Sequence, residues 1–409
     1  MRPAPAPAIY AFADDFVDAG VDDVADHLAA LGFAGVALAT VYHAARDLLP
    51  HNPKRAVAHR DEGAFSFVPD ASLYAGALKP PVEQAACARE FGSITTALHR
   101  RGVAWQAWTV YLHNCRLATD HPELAVTNAF GDHYITDLCP SSDAVTAYAE
   151  QLTADVAQLS PSLIVAESLH HAGFGHGYHH ERAFVDVPAS TEFLLSLCFC
   201  EACVATAAAA GIDAPALAAR VREIVRGSLA GAAMPGLDRA SLARLCGDPL
   251  LDYLRVREGV VTTLAARCAG VARAAGVPFG FIDQTGALKG YLTGEPQGGP
   301  SAGDAWRLGI SPAAVAGAVD SYVALAYAKD PARIADDVTA YTRAAAGAVE
   351  LRCVLRHGGP DYLGPDNLAA KVAAARRGGA DAVDFYHYGL MSLSGLDAAA
   401  AAARTAAER

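Results

Sequence analysis

The stretch "DNLAAKVAAARRGGADAVDFYHY" (residues 366–388) contains a whole folding unit. Its first half is alanine-rich and amphipathic, as a helix packed on an apolar layer should be. Gly378 and Gly379 follow where a helix C-cap takes glycine. Then comes "AVDFYHY" (382–388), a short apolar and aromatic run of strand type. The same unit recurs along the chain. Seven further strands are expected at "AIYAF" (8–12), "GVALATVY" (35–42), "VAWQAWTVYL" (103–112), "LIVAES" (163–168), "PFGFID" (278–283), "SYVALAYA" (321–328) and "VELRCVLR" (349–356). Stretches such as "VDDVADHLAALGF" and "DAVTAYAEQLTADVAQL" separate them as helices. Eight strands alternating with helices predict an α/β fold, a (β/α)8 TIM barrel. The rival is an open doubly wound sheet. It would need a Gly-rich phosphate turn after the first strand, and "AFADDFVDAG" is not one.

Three insertions interrupt the rhythm, at about 43–80, 169–205 and 286–310. They follow strands two, four and five, on the face where barrel enzymes keep their sites. Residues 204–275 read as a helical excursion, and no low-complexity linker divides the chain. The expectation is therefore a single domain over 1–409.

The chain has 409 residues, 53% of them hydrophobic, and a formal net charge of −12. That acidity argues against a nucleic-acid partner, which needs a basic face. No apolar run is long enough to span a membrane. The start, "MRPAPAPAIYAF", lacks the apolar core of a signal peptide. The protein is read as cytoplasmic, its nine cysteines as thiols or metal ligands. The sequence leaves a homo-oligomer open.

Cys198, Cys200 and Cys203 stand in "CFCEAC", a C-x-C-x2-C spacing that can wrap one turn around a tetrahedral metal. Cys139, in "DLCPSSDAVTAYA", is the candidate fourth ligand. The plainer alternative is apolar packing of small thiols. Four cysteines leave no open coordination position, which makes a structural zinc the expected cofactor; no organic cofactor is expected.

A cysteine in a turn before a helix, a glutamate ending strand four and the C-x-C-x2-C triplet together resemble the family 42 glycoside hydrolases, β-galactosidase relatives of clan A. The resemblance covers about residues 130–205. It implies that Cys139, Cys198, Cys200 and Cys203 are zinc ligands and that Glu167 is the acid/base carboxylate. Two departures stand out. Ala166 precedes that glutamate where the clan usually has Asn. Strand seven carries its one glutamate, Glu350, at the wrong end, and its tip holds Arg356 and His357.

Glu167 itself ends the apolar run "LIVAE" at a C-terminal strand end, where catalysis is the default reading. A glycosidase needs a second carboxylate. Asp283, ending "FGFID", is ranked first, ahead of Asp14, Asp15 and Asp384. For Asp283 the plain alternative is a turn-capping residue. His170, His171, His176, His179 and His180 crowd the loop after Glu167. Three glycines make that loop a substrate-lining segment rather than a helical metal motif, with His176 and His180 as ligands if a second metal exists. His43, Arg46, Trp108, His113, Asn114, His171, His176, Tyr327, Arg356 and Tyr386 are the expected substrate contacts. Rings beside hydrogen-bonding groups suit a sugar.

The expected function is glycoside hydrolysis of a small-molecule or oligosaccharide substrate by carboxylate acid/base chemistry. The alternatives are a metal-dependent barrel isomerase, lyase or hydrolase, and a barrel that binds carbohydrate without turnover.

Overall fold

The computed structural model describes residues 7–81, 85–175 and 182–407. Its centre is a closed barrel of eight parallel strands: β1 (Ala8–Ala11), β2 (Gly35–Tyr42), β3 (Ala104–Val110), β4 (Ile164–Glu167), β5 (Phe279–Asp283), β6 (Ser321–Leu325), β7 (Glu350–Arg356) and β8 (Ala382–Tyr386). Each strand pairs with the next in sequence, and β8 closes on β1 at Ile9 and Phe385. The (β/α)8 reading is thus the observed architecture.

The strands are buried on both faces, which is why they read as continuous apolar runs rather than alternating ones. Inward residues form one core: Tyr10, Ala37, Ala39, Trp108, Leu163, Val165, Ile282, Val323, Leu325 and Val354. Outward residues such as Ile9, Phe279, Phe281, Tyr322 and Phe385 meet the helices in a second, larger core. The 366–388 unit is built as expected. Helix Pro365–Gly378 ends on Gly379, whose φ of 107° is left-handed and suits glycine.

The segment after β2 folds as a hairpin (Ala45–Leu48 against Val57–Arg60) and a short strand, Ala64–Phe65, antiparallel to β2. The segment after β3, not foreseen as an insertion, forms helix Cys115–Asp120 and a hairpin, Ala125–Thr127 against His133–Leu138. After β4, helices Ala189–Leu195, Glu201–Ala209, Ala214–Leu229 and Arg239–Cys246 gather an apolar cluster around the start of the long helix Pro249–Ala274. Among the described residues no helix is long and apolar enough to cross a membrane.

Candidate functional site

β4 places Glu167 inward, two residues beyond Val165, at the C-terminal mouth of the barrel. The residue keeps some exposure there. Trp108 Nε1 donates to Oε2, and Gln284 Nε2 donates to Oε1 at 2.8 Å. Burial pushes the Glu167 carboxyl above the usual carboxylate range. The Trp108 and Gln284 donors and the charge of His113 pull it back, without reversing the shift.

Aromatic rings wall this carboxylate. Trp108 packs against Tyr10 (5.1 Å between centroids), Phe12 (5.5 Å), Tyr42 (4.8 Å) and Tyr386 (5.8 Å). The Tyr42 and Tyr386 hydroxyls lie 3.3 Å apart, and both residues keep some exposure. Tyr327 is inward on the opposite side, with the Arg356 guanidinium 4.1 Å above its ring.

His113 is the charged neighbour of Glu167. It bridges to Asp137 in the hairpin after β3, with Nδ1 3.0 Å from the Asp137 carboxylate. Burial opposes its charge, but Asp137, then Glu62 and Glu167, raise the imidazole to about 9, so it is cationic at neutral pH. His43 meets its ring edge-on at 5.0 Å and stacks on Tyr42 at 4.2 Å.

The second carboxylate is where the structure departs from the sequence reading. Ile282 faces the barrel interior, so the pleat turns Asp283 outward into the wall. There it is fully buried, accepting from the Tyr322 hydroxyl at 2.6 Å and from Thr285 N at 2.9 Å. Asp384 is inward but held by Arg352 through two bonds of 2.7 Å and by Ala8 N. Asp14 pairs with Arg60, and Asp15 accepts Phe12 N. The side chains that act most on Glu167 are Trp108, His113 and Gln284, none of them a carboxylate.

Of the expected substrate contacts, the structure brings His43, Trp108, His113, Tyr327, Arg356 and Tyr386 to the mouth. Trp108 is 1% exposed and serves Glu167 as a donor rather than offering its face. Arg356 is committed to Tyr291 O, Gly290 O and an ion pair with Asp361. Three contacts are displaced. Arg46 is exposed on the hairpin after β2. Asn114 is buried because it caps helix Cys115–Asp120, accepting Leu117 N at 3.0 Å. His171 is buried behind the mouth against Arg257, and its ring nitrogens find no partner among the described residues. His176 lies outside the described residues, as do His179 and His180.

Gln284, Asp137, Glu62 and Arg60 were missed, and His170 was read only as part of the substrate-lining loop. Gln284 was legible from alternation, since it follows an outward Asp283. Arg60 covers the Phe12 ring at 3.3 Å, and Glu62 accepts Ala44 N and Cys115 N. Both arrive through loop geometry that no motif announces.

The four cysteines converge. Cys139, Cys198, Cys200 and Cys203 are buried thiols whose sulfurs lie within 4.8 Å of one another. Cys139 Sγ stands 3.7 Å from Cys198, 3.5 Å from Cys200 and 3.5 Å from Cys203. A tetrahedron with Zn–S bonds of about 2.3 Å has edges of about 3.8 Å, so the donor set fits such an ion. Thr127 N donates to Cys198 Sγ at 3.3 Å, as thiolate ligands require. Buried Arg257 adds positive charge nearby. Among the described residues this is the one group of three or more His, Cys, Asp or Glu side chains close enough to share an ion. It lies away from the Glu167 mouth, in its own small cluster with Val126.

No family model matches the chain, and no curated protein does. Solved structures do match. The chain is similar to the catalytic domain of β-amylase from Paenibacillus polymyxa (TM-score 0.57, 10% identity, 98% of each chain covered). It is also similar to β-galactosidase from the psychrophilic Marinomonas ef1 (TM-score 0.56, 12% identity, 98% of this chain and 59% of that one). A third is α-L-fucosidase isoenzyme 2 from Paenibacillus thiaminolyticus (TM-score 0.54, 11% identity, 98% of this chain and 49% of that one). The chain thus spans 59% and 49% of the length of two of these glycoside hydrolases. What it shares with all three is the closed eight-stranded parallel barrel.

Proposed function

We propose that the protein is a glycoside hydrolase-like enzyme in which Glu167 is the general acid. One observation carries the reading: a carboxyl raised by burial stands at a C-terminal strand end, inside an aromatic wall, with donors ready for its anion. In the protonated form, Glu167 gives its proton to the departing glycosidic oxygen as the C–O bond breaks, and water bonds to the anomeric carbon, its surplus proton passing to solvent. The carboxylate left behind is received by Trp108 Nε1–H, Gln284 Nε2–H and the His113 cation. Tyr42 and Tyr386 offer ring faces and hydroxyls to a pyranose, as sugar sites do. A structural zinc held by Cys139, Cys198, Cys200 and Cys203 would brace the segment after β4 and take no part in the proton transfer.

The test is Glu167→Gln assayed on a panel of alkyl and aryl glycosides. An alkyl glycoside, whose leaving oxygen needs the proton, should lose about 10²–10⁴ in kcat/KM; an activated aryl glycoside should lose less. Equal turnover by variant and wild type on both would end the reading. A second reading, a barrel that binds sugar without turnover, draws on Asp283 facing the wall and Asp384 being held by Arg352, which leaves neither as the partner of Glu167. Sugar binding unchanged by Glu167→Gln, with no turnover in either protein, would favour it.

A further inference from the structure

The Glu167 carboxylate heads a chain of hydrogen bonds that leads away from the mouth. Gln284 Nε2 faces Glu167 Oε1 at 2.8 Å. Gln284 Oε1 faces Ser168 Oγ at 3.1 Å and His170 Nε2 at 2.8 Å. His170 Nδ1 faces the carbonyl of His171 at 2.9 Å. That carbonyl is held in place, because His171 N donates to Leu308 O at 3.1 Å.

With the amide placed this way, both ring nitrogens of His170 face oxygen acceptors. A neutral imidazole has one N–H and satisfies one of them; only the imidazolium satisfies both. The chain in this arrangement is therefore Glu167 carboxylate, Gln284, imidazolium. A second arrangement has the same number of protons and also satisfies every link. Glu167 carries the proton and donates it to Gln284 Oε1. The amide is turned over, and its Nε2–H groups point to Ser168 Oγ and to the His170 Nε2 lone pair. His170 is neutral and keeps its Nδ1–H on the His171 carbonyl. The two arrangements differ by one proton moved between Glu167 and His170 and by one amide rotation.

We infer that Gln284 and His170 are positioning residues that couple the protonation of Glu167 to that of His170: His170 Nε2 gives its proton to solvent, Glu167 takes one from solvent at the mouth, and the Gln284 amide turns over, so that a carboxylate–imidazolium pair becomes a carboxylic acid and a neutral ring. Burial favours the uncharged pair at both ends. His170 is 7% exposed, and burial pushes its imidazole below the usual range, against the opposing pull of Asp283 and Asp137. His113 is the charged group on the mouth side and pulls the other way, toward the Glu167 anion. Phe281 closes the apolar side of the His170 ring, at 6.5 Å between centroids. The inference rests on Glu167 as proton donor for its catalytic meaning, but the coupling itself is a property of the three side chains.

The coupling predicts a tautomer change that follows Glu167. While Glu167 is protonated, His170 is a neutral Nδ1–H ring. Once Glu167 ionises, Gln284 Nε2 turns to the carboxylate and its Oε1 to His170, which then carries a proton on Nε2: as the imidazolium while it keeps the Nδ1 proton, and as the neutral Nε2–H ring once rising pH has removed one proton. The experiment is a pH titration of the full chain labelled with ¹⁵N in its histidine rings, the His170 signals assigned by their loss in His170→Gln. The expected result is a switch of His170 from Nδ1–H toward Nε2–H as pH rises, abolished in Glu167→Gln and in Gln284→Met. A His170 spectrum that follows the same course in wild type, Glu167→Gln and Gln284→Met overturns the relay. Failure of the two readings is distinguishable. A switch in a protein that turns over no glycoside sinks the proposed function and keeps the relay. Glu167-dependent turnover without a switch does the reverse.

Discussion

Trp108→Phe tests the acid assignment through its sign. In the structure Trp108 Nε1 donates to Glu167 Oε2, and phenylalanine removes that donor while keeping an aromatic ring. A hydrogen bond to a charged group contributes about 1.5–3 kcal/mol. At about 1.36 kcal/mol per unit, its loss raises the Glu167 pKa by roughly 1–2 units. Glu167 keeps some contact with solvent, and water replaces part of the lost donor, which favours the lower end, about one unit. A general acid works protonated, so the alkaline limb of kcat/KM follows its pKa and should move upward. The plateau should fall, because the carboxylate formed in the transition state has lost a donor. The assay is the pH dependence of kcat/KM on a glycoside with a poor leaving group, with thermal denaturation as a control. Trp108 also packs on Tyr10, Phe12 and Tyr42, so a stability loss of roughly 1–2 kcal/mol is expected from the smaller ring. An alkaline limb that stays put or moves down, in a folded variant, refutes the role given to this bond.

Other expectations follow from the same geometry. The purified chain should carry one zinc at Cys139, Cys198, Cys200 and Cys203. Cys139→Ser, which removes a sulfur standing 3.5–3.7 Å from each of the other three, should release it far faster in a chelator competition; protein that takes up no metal from zinc-supplemented medium would exclude the site. Asp15 is buried beside Asp14, and burial first of all raises its carboxyl to about 7. Its folded value exceeds the unfolded one, so the stabilisation it gives is complete below about pH 4 and is lost as pH rises through about 7. Asp15→Asn should therefore gain roughly 2–4 kcal/mol on wild type at pH 8 and little at pH 4, by urea denaturation; an equal effect at both values would contradict the assignment. Asp283→Asn should lower stability by about 1–3 kcal/mol, through its bond with Tyr322, and leave kcat within a few-fold, since it faces the wall. In Gly286→Ala a Cβ would fall on the Leu325 carbonyl oxygen, so helix Thr285–Gly290 must lift from β6 and carry Gln284 with it. Both stability and the alkaline limb should then change, whereas the same substitution at Gly303, with open space around it, should be silent.

The barrel was legible because its signal is local and repeated. Each strand is buried on both faces and each helix on one, so the periodicity survives in every unit from Ala8 to Tyr386. The four-cysteine cluster was legible for a related reason: three of its members lie within six residues, and a turn constrains where they point. The surroundings of Glu167 were only partly legible, and alternation explains both the success and the miss. Glu167 sits two residues beyond the inward Val165 and faces the mouth. Asp283 looks equivalent in sequence, but it is one residue beyond the inward Ile282 and faces the wall. A shift of one position exchanges the faces of a strand, and without the register the sequence shows a carboxylate at each strand end and no direction. Gln284 is the residue that the register delivers to Glu167, and an amide carries no signature of catalysis. His113 and Asp137 meet across an isolated bridge between segments 24 residues apart, and Asn114, next to His113, turns away to cap a helix. Such contacts are set by the path of an irregular loop. The consequence is chemical as well as descriptive. Among the described residues the barrel surrounds the Glu167 carboxylate with the Trp108 and Gln284 donors and the His113 cation. It therefore controls that carboxylate through hydrogen bonds rather than through a like-charged partner, and substitutions at Trp108, Gln284 and His113 should move its protonation more than substitutions at the neighbouring aspartates.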